Sequence, residues 1–257
     1  MEYIKLTKEN ITDEHICCAI SGNKDVQVSS KKAWLSDRFD DGLVFIKADA
    51  RGKCFIEYIP AEMAWAPVEA DGFMFIDCFW VSGQLSGHGC GRELLEMCIS
   101  DSREKGKKGL CVISSEKKKP FLSDPKFLSH MGFVVCDSAE PYYTLMYLPF
   151  DENVAVPKFK DSAKHPKTDD TGFVLYFTNQ CPFNAKYVPI IEKAAADNNI
   201  PFKCIHINSA EAAQNAPAVW TVSALFYNGG FVTHEILSKK KFLSLAEKLC
   251  KLILITN

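Results

Sequence analysis

Three glycines at alternate positions, in Ser86-Gly87-His88-Gly89-Cys90-Gly91, stand between an apolar, β-rich run and a leucine-rich segment with helical spacing. A strand that enters such a turn and then opens a helix leaves several main-chain N–H groups unpaired at the positive end of the helix dipole. Glycine there lets the chain approach a phosphate closely and take positive φ. The chemistry is anion binding. A dinucleotide fingerprint would need an acidic residue about 20 positions onward, at the end of a second strand, but the next strand ends in Ser114-Ser115. A P-loop would need Gly-Lys-Ser/Thr, which does not follow. Cys90, inside the turn, reads either as a thiol activated at a helix N-terminus or as a small side chain packed beneath the loop, and the second reading is preferred. His88 reads as exposed.

Composition narrows the partners. The chain has 257 residues, 47% hydrophobic and 24% charged, with a formal charge of −2. That balance gives no electrostatic support for nucleic-acid binding. Eleven cysteines, an odd number with no C-x-x-C pair, lie mostly in apolar runs. They suit a reduced intracellular protein better than a disulfide framework or a zinc site, so no metal is expected. The opening MEYIKLTKENITDEH has no basic start followed by an apolar core, and no later stretch approaches the ~20 apolar residues of a membrane span. The expectation is a cytoplasmic protein without a membrane partner, of open oligomeric state.

The elements that must position the turn follow from periodicity. Residues 149–171 are polar, contain three prolines and read as a linker between units at 1–148 and 172–257. In the first unit YIKLT is a strand, 9–21 has helical spacing at Ile11, His15, Cys18 and Ala19, and 31–39 reads as a second helix. GLVFIKA, KCFIEYI and FMFIDCFWV read as antiparallel strands turning at Arg51-Gly52 and Asp71-Gly72. Residues 91–106 form a helix with Leu94, Leu95, Cys98 and Ile99 on one stripe. A strand at 109–115, a short helix at 125–133 closed by Gly132, and two final strands follow.

This order, with the glycine turn and Met131-Gly132-Phe133, resembles the GNAT acetyltransferase superfamily. The resemblance implies a mixed α/β sheet in which strands Phe73–Val81 and Gly109–Ser115 splay apart to hold the pantetheine arm of acetyl-CoA. Backbone groups of Phe79 and Val81 would bond that arm, and Ser115 would line the far strand. The N–H groups from Gly87 through His88, Gly89 and Cys90 to Gly91 would hold the pyrophosphate. Ser86 stands where the family has Gln or Arg, so Arg92 or Lys117-Lys118-Lys119 is expected to add positive charge.

Acetyl transfer from a thioester to an amine needs a neutral amine, an oxyanion donor and an acid for the leaving thiolate. The Val81 amide is the natural oxyanion donor. The family's usual acid, a tyrosine, falls here on Leu128, which has no proton to give. Substitutes are Ser123 and Tyr142 or Tyr143. Glu57 and Asp77, carboxylates inside strands, are the candidate bases, with outward-facing, solvated carboxylates as the alternative. His15 and His130 read as helix-surface residues. The connection at 59–72, with Glu62, Trp65 and Glu69, lies where acceptor pockets are built in the superfamily.

The second unit reads as strand, helix and strand, then a hairpin about Asn228-Gly229-Gly230 and a closing helix, an order that resembles the thioredoxin-like fold. Cys181-Pro182-Phe183-Asn184 sits at that fold's redox position, but Asn184 replaces the resolving cysteine and the usual cis-proline would fall near Thr221 or Val222. Cys181 is therefore the candidate reactive thiol, able to accept glutathione or an acyl group, or an inert remnant. The two units together resemble the bacterial YoaP-like acetyltransferases. The implied function is acetyl-CoA-dependent N-acetylation of a small-molecule or peptide amine. The alternatives are a monothiol thiol-transfer protein with an acyl-CoA-sensing first unit, and a non-catalytic acyl-CoA binder.

Overall fold

The computed structural model describes residues 1–19 and 22–256, with side chains through Cys250. Up to Pro149 the elements run β1 (Tyr3–Lys5), α1 (Val26–Phe39), β2 (Val44–Ala48), β3 (Cys54–Pro60), β4 (Val68–Glu69), β5 (Met74–Val81), α2 (Cys90–Glu104), β6 (Gly109–Ser115), α3 (Pro125–His130), β7 (Val134–Ala139) and β8 (Tyr143–Pro149). Seven of these strands form one mixed sheet in the order β1-β2-β3-β5-β6-β8-β7. All its pairs are antiparallel except β5–β6.

Because successive side chains of a strand point to opposite faces, the central strands feed two cores. Met74, Ile76, Leu110 and Val112 share one with Leu94, Leu95 and Cys98 of α2 and Leu128 of α3. Phe73, Phe75, Cys111 and Ile113 belong to the other, with Trp34 and Leu35 of α1.

The chain continues through β9 (Lys158–Phe159), α4 (Asp161–Lys164), β10 (Phe173–Phe177), α5 (Pro182–Asp197), β11 (Phe202–His206), α6 (Ala210–Gln214), β12 (Ser223–Tyr227), β13 (Gly230–Thr233) and α7 (Lys239–Thr256). A four-stranded sheet has the order β11-β10-β12-β13, with β10 parallel to β11 and antiparallel to β12. Val188 and Ile191 of α5 and Phe242 and Ala246 of α7 cover it. Ala213, Val219, Trp220 and Val222 join the second core of the first sheet. The C-terminal unit thus closes the sheet face that α2 and α3 leave uncovered.

Several local expectations change. Residues 9–19 form turns rather than a helix, and 20–21 lie outside the described residues. Asn10 explains this: its Oδ1 accepts from the Thr7 amide at 2.8 Å and its Nδ2 donates to Lys5 O at 3.0 Å, so the side chain competes with helical bonding. His15 is consequently no helix-surface residue, and its Nε2 lies 3.0 Å from Ala50 O. Helix α1 starts five residues before Lys31, capped by Asp25, whose carboxylate accepts from the Gln27 amide at 2.9 Å. The 149–171 stretch is anchored: β9 pairs with β4, and Phe159 and Ala163 are buried. Among the described residues no helix is long and apolar enough to cross a membrane, and no group of three or more His, Cys, Asp or Glu is placed to hold a metal ion.

Candidate active site

Strands β5 and β6 pair only where Met74, Phe75 and Ile76 meet Leu110, Cys111 and Val112. Beyond that point β5 keeps β3 on one side, up to Cys54 opposite Val81, while its β6 side runs unpaired from Asp77 to Val81. Phe79 and Val81 lie on this parted edge, with Ser114 and Ser115 at the end of the opposing strand. The edge runs into the glycine turn. Gly87 and Gly89 have φ of 84° and 83°, and Gly89 is the N-cap of α2. Among the described residues nothing accepts from the amides of Gly87 or Gly89, and those of Cys90, Gly91 and Arg92 are the open donors of the first helical turn. A Cβ at Gly87 would meet nothing within 4 Å. The turn is open to a ligand.

Gly91 is different, being helical, and a Cβ there would stand 3.4 Å from the Phe127 ring, in ordinary contact. Gly89→Ala should therefore cost about 1–2 kcal/mol of left-handed strain, while Gly91→Ala leaves stability near wild type. Denaturant melts of the two variants check this. Cys90 is buried beneath the loop beside Cys54, the packed arrangement rather than the exposed nucleophile. Ser86 and His88 are exposed, as is Arg92, whose Nη2 lies 3.4 Å from His130 Nε2. Lys118 pairs with Asp124 at 2.8 Å and Lys119 lies over the Tyr142 ring at 3.9 Å, so Arg92 is the cation on the turn itself.

Both carboxylates are buried, correcting the outward-facing alternative. At the β3–β5 pair the register slips: Glu57 faces Cys78 and Tyr58 faces Ile76, so Asp77 is the extra residue of a bulge. That bulge falls where β5 parts from β6. Glu57, 0% exposed, accepts from Lys31 Nζ at 2.8 and 2.6 Å through its two oxygens, so it is no free base. Burial pulls the 1%-exposed Lys31 ammonium down, but the adjoining Glu57 carboxylate more than offsets this and holds its pKa above the ordinary value. Asp77, 7% exposed, has its carboxyl pushed well above the usual range by burial and by the Glu57 charge, against the pull of Lys31 and Gln180. One cation serves two carboxylates, and Asp77 is the one pushed toward its protonated form.

Of the candidate acids, Ser123 precedes the true cap of α3, Asp124, and its carbonyl accepts from Ser114 Oγ at 2.7 Å, which brings it to the parted end of β6. Ser115 Oγ is engaged instead with Lys117 O at 2.8 Å. Tyr143 is buried, its hydroxyl pKa raised by burial, and its ring lies 4.9 Å from that of Tyr142. Tyr142 meets an unforeseen partner. Because Pro120 O only accepts, His234 Nε2, 2.8 Å away, carries the ring proton. His234 Nδ1 therefore accepts from the Tyr142 hydroxyl at 2.6 Å. Burial lowers the His234 pKa, keeping the ring neutral. Leu128 is core.

The named side chains of the 59–72 connection are engaged within the protein. Trp65 is buried against Trp34, with centroids 4.4 Å apart, Glu62 pairs with Lys107 at 3.1 Å, and Glu69 pairs with Lys158 at 3.0 Å. The connection is a docking strip for the C-terminal unit: Gln214 Nε2 donates to Glu62 O and Ala64 O, each at 3.1 Å, and Thr221 Oγ1 donates to Trp65 O. Cys181 is the N-cap of α5, as its position before Pro182 requires. Its thiol is not acidified. Burial pushes it up to about 11, although the Phe183 amide and Lys31 pull the other way. A thiolate at neutral pH is thereby disfavoured. Lys31, Gln180 and His234 carry no motif, and the apolar setting of 26–39 gave no signal for a buried ammonium.

Residues 201–243 match the family described as YoaP-like. The chain is 43% identical over 243 residues, 94% of its length and 97% of the relative's, to a Bacillus subtilis (strain 168) protein called "Uncharacterized N-acetyltransferase YoaP". Among solved structures it is similar to a GNAT-family acetyltransferase from Staphylococcus aureus, at 15% identity and TM-score 0.41 over 58% of this chain and 99% of that one. It is also similar to a GNAT-family acetyltransferase from Brucella melitensis in complex with acetyl-CoA, at 14% identity and TM-score 0.38 over 60% and 91%. TM-scores below 0.5 leave these two likenesses without weight for function.

Proposed function

The chain belongs to the YoaP-like N-acetyltransferase family, and on that premise we propose that it transfers the acetyl group of acetyl-CoA directly to an amine of a small molecule or peptide. Residues 1–148 are the GNAT-type catalytic domain, 149–171 the connection, and 172–257 a thioredoxin-like unit whose cysteine takes no part in the transfer. The observation that carries this reading is the unpaired β5 edge, Asp77 to Val81, leading into the open amides of the glycine turn. An extended chain bearing amides suits the edge, and a diphosphate suits the turn.

The Val81 amide would receive the oxyanion of the tetrahedral intermediate. Asp77, whose surroundings favour its protonated form, must first give up its own proton; once ionised, it takes the proton of the attacking amine, directly or through water, as the N–C bond forms. As the C–S bond breaks, the thiolate takes a proton from Ser123, or from Tyr142 once its hydroxyl turns away from His234 Nδ1. The burial of Glu57 and Lys31 keeps a charged pair next to Asp77 without solvent to screen it.

The test is release of free CoA thiol across a panel of primary amines, together with a thermal shift in acetyl-CoA. Binding at about 100 times Kd should add about 2.7 kcal/mol of stability. Amine-dependent thiol release that survives Cys181→Ser is expected. An unmoved melting temperature with saturating acetyl-CoA would overturn the assignment.

A further inference from the structure

We propose that Gln180 of the C-terminal unit is a positioning residue for Asp77, so that the transfer site is assembled from both units; this rests on Asp77 as the base. Gln180 is 6% exposed and touches the N-terminal unit through both its ends. Its side-chain Nε2 donates to Asp77 Oδ1 at 3.2 Å and reaches Asp77 O at 3.5 Å. Its main-chain carbonyl accepts from Lys31 Nζ at 2.7 Å. The Lys31 ammonium thus has three short acceptors, two from Glu57 and one from the other unit, which matches its three donors.

The loop that presents Gln180 is held from within its own unit. Asn184 Nδ2 donates to Thr178 O at 2.9 Å and Val222 O at 2.6 Å, and the Thr178 amide donates to Val222 O at 3.4 Å. Asn184 stands at the resolving-cysteine position, so the residue that removes dithiol chemistry is the one that fixes this loop. A residue serving only to dock two surfaces has no need to aim an amide at a buried carboxyl. The Gln180 amide occupies Oδ1 and leaves Oδ2 for the proton. It also favours the ionised form, which burial opposes. The charged and titratable groups around Asp77 are Glu57 from β3, Lys31 from α1, Cys78 from β5, Cys111 from β6, Cys18 from the N-terminal turns and Cys181 from the cap of α5.

The experiment is a carbon-13 NMR titration of aspartate carboxyls in the full chain, with Asp77→Asn assigning the resonance. Gln180→Met keeps the volume and removes the donor. The Asp77 midpoint should then move up by about one pH unit, the size of a lost hydrogen bond to a charged group. The acid limb of amine-dependent thiol release should move with it. Gln180→Ser carries the same expectation should methionine prevent folding. Thr221→Val, which loosens the same interface at Trp65, should leave the midpoint in place. An unmoved midpoint in the Gln180 variants, or an equal movement in Thr221→Val, overturns the inference alone if Asp77→Asn has lost turnover. Retained turnover in Asp77→Asn instead overturns the reading beneath it.

Discussion

Asp77→Asn is expected to fold and to lose acetyl transfer by about 10²–10⁴-fold, the range over which a positioned base contributes. Asparagine keeps the shape of the carboxyl and an oxygen for Gln180 Nε2. Stability should not suffer, and the sign follows from linkage. The Asp77 pKa is raised in the folded chain, so above the usual carboxylate range the folded state holds a proton that the unfolded state releases. Stability is thereby lost as pH climbs from the unfolded pKa toward the folded one. Asparagine does not titrate, so the variant should match or exceed the wild type at neutral pH and gain most toward the alkaline side. Denaturant midpoints at mildly acidic and neutral pH, read beside turnover, separate a chemical loss from a folding loss.

Lys31→Met should be the most destabilising single change, costing about 3–5 kcal/mol at neutral pH, because it strands the Glu57 charge in a fully buried site. The stranded carboxyl can escape only by taking a proton. The cost should therefore be smallest in acid and grow with pH. The double variant Lys31→Met, Glu57→Met removes both charges and should recover most of the loss, as apolar replacements of buried pairs commonly do. The double variant also tests whether Glu57 is needed for anything beyond its partner. Chemical denaturation of the three variants across pH would show the pattern, and an equal cost for single and double changes would deny that the charge is what matters.

How far the sequence could be read follows from the range of the forces involved. The glycine turn was legible because φ near +84° at Gly87 and Gly89 is a local demand on a residue type. The strands of the first sheet and helix α2 were legible because their apolar periods are local too. The helix expected at 9–21 was not, since three apolar positions at helical spacing looked alike whether they filled a helix or, as here, turns pinned by Asn10. The two-residue strands β4 and β9 are too short for any period. Glu57 and Asp77 were singled out as residues able to move a proton, but their difference was invisible: what separates them is Lys31, 26 residues from Glu57, and Gln180, 103 residues from Asp77.

By itself, then, the order of residues determined the mixed α/β architecture of the first unit, the open glycine turn and the absence of a second cysteine at Asn184, because each depends on neighbours a few positions apart. Only the tertiary structure decided which carboxyl is pushed toward its protonated form, that Cys181 is a half-buried thiol rather than an acidic one, and that Tyr142 answers to His234. Those outcomes are set by desolvation and by charges drawn from distant segments, and neither exists until the chain has closed on itself.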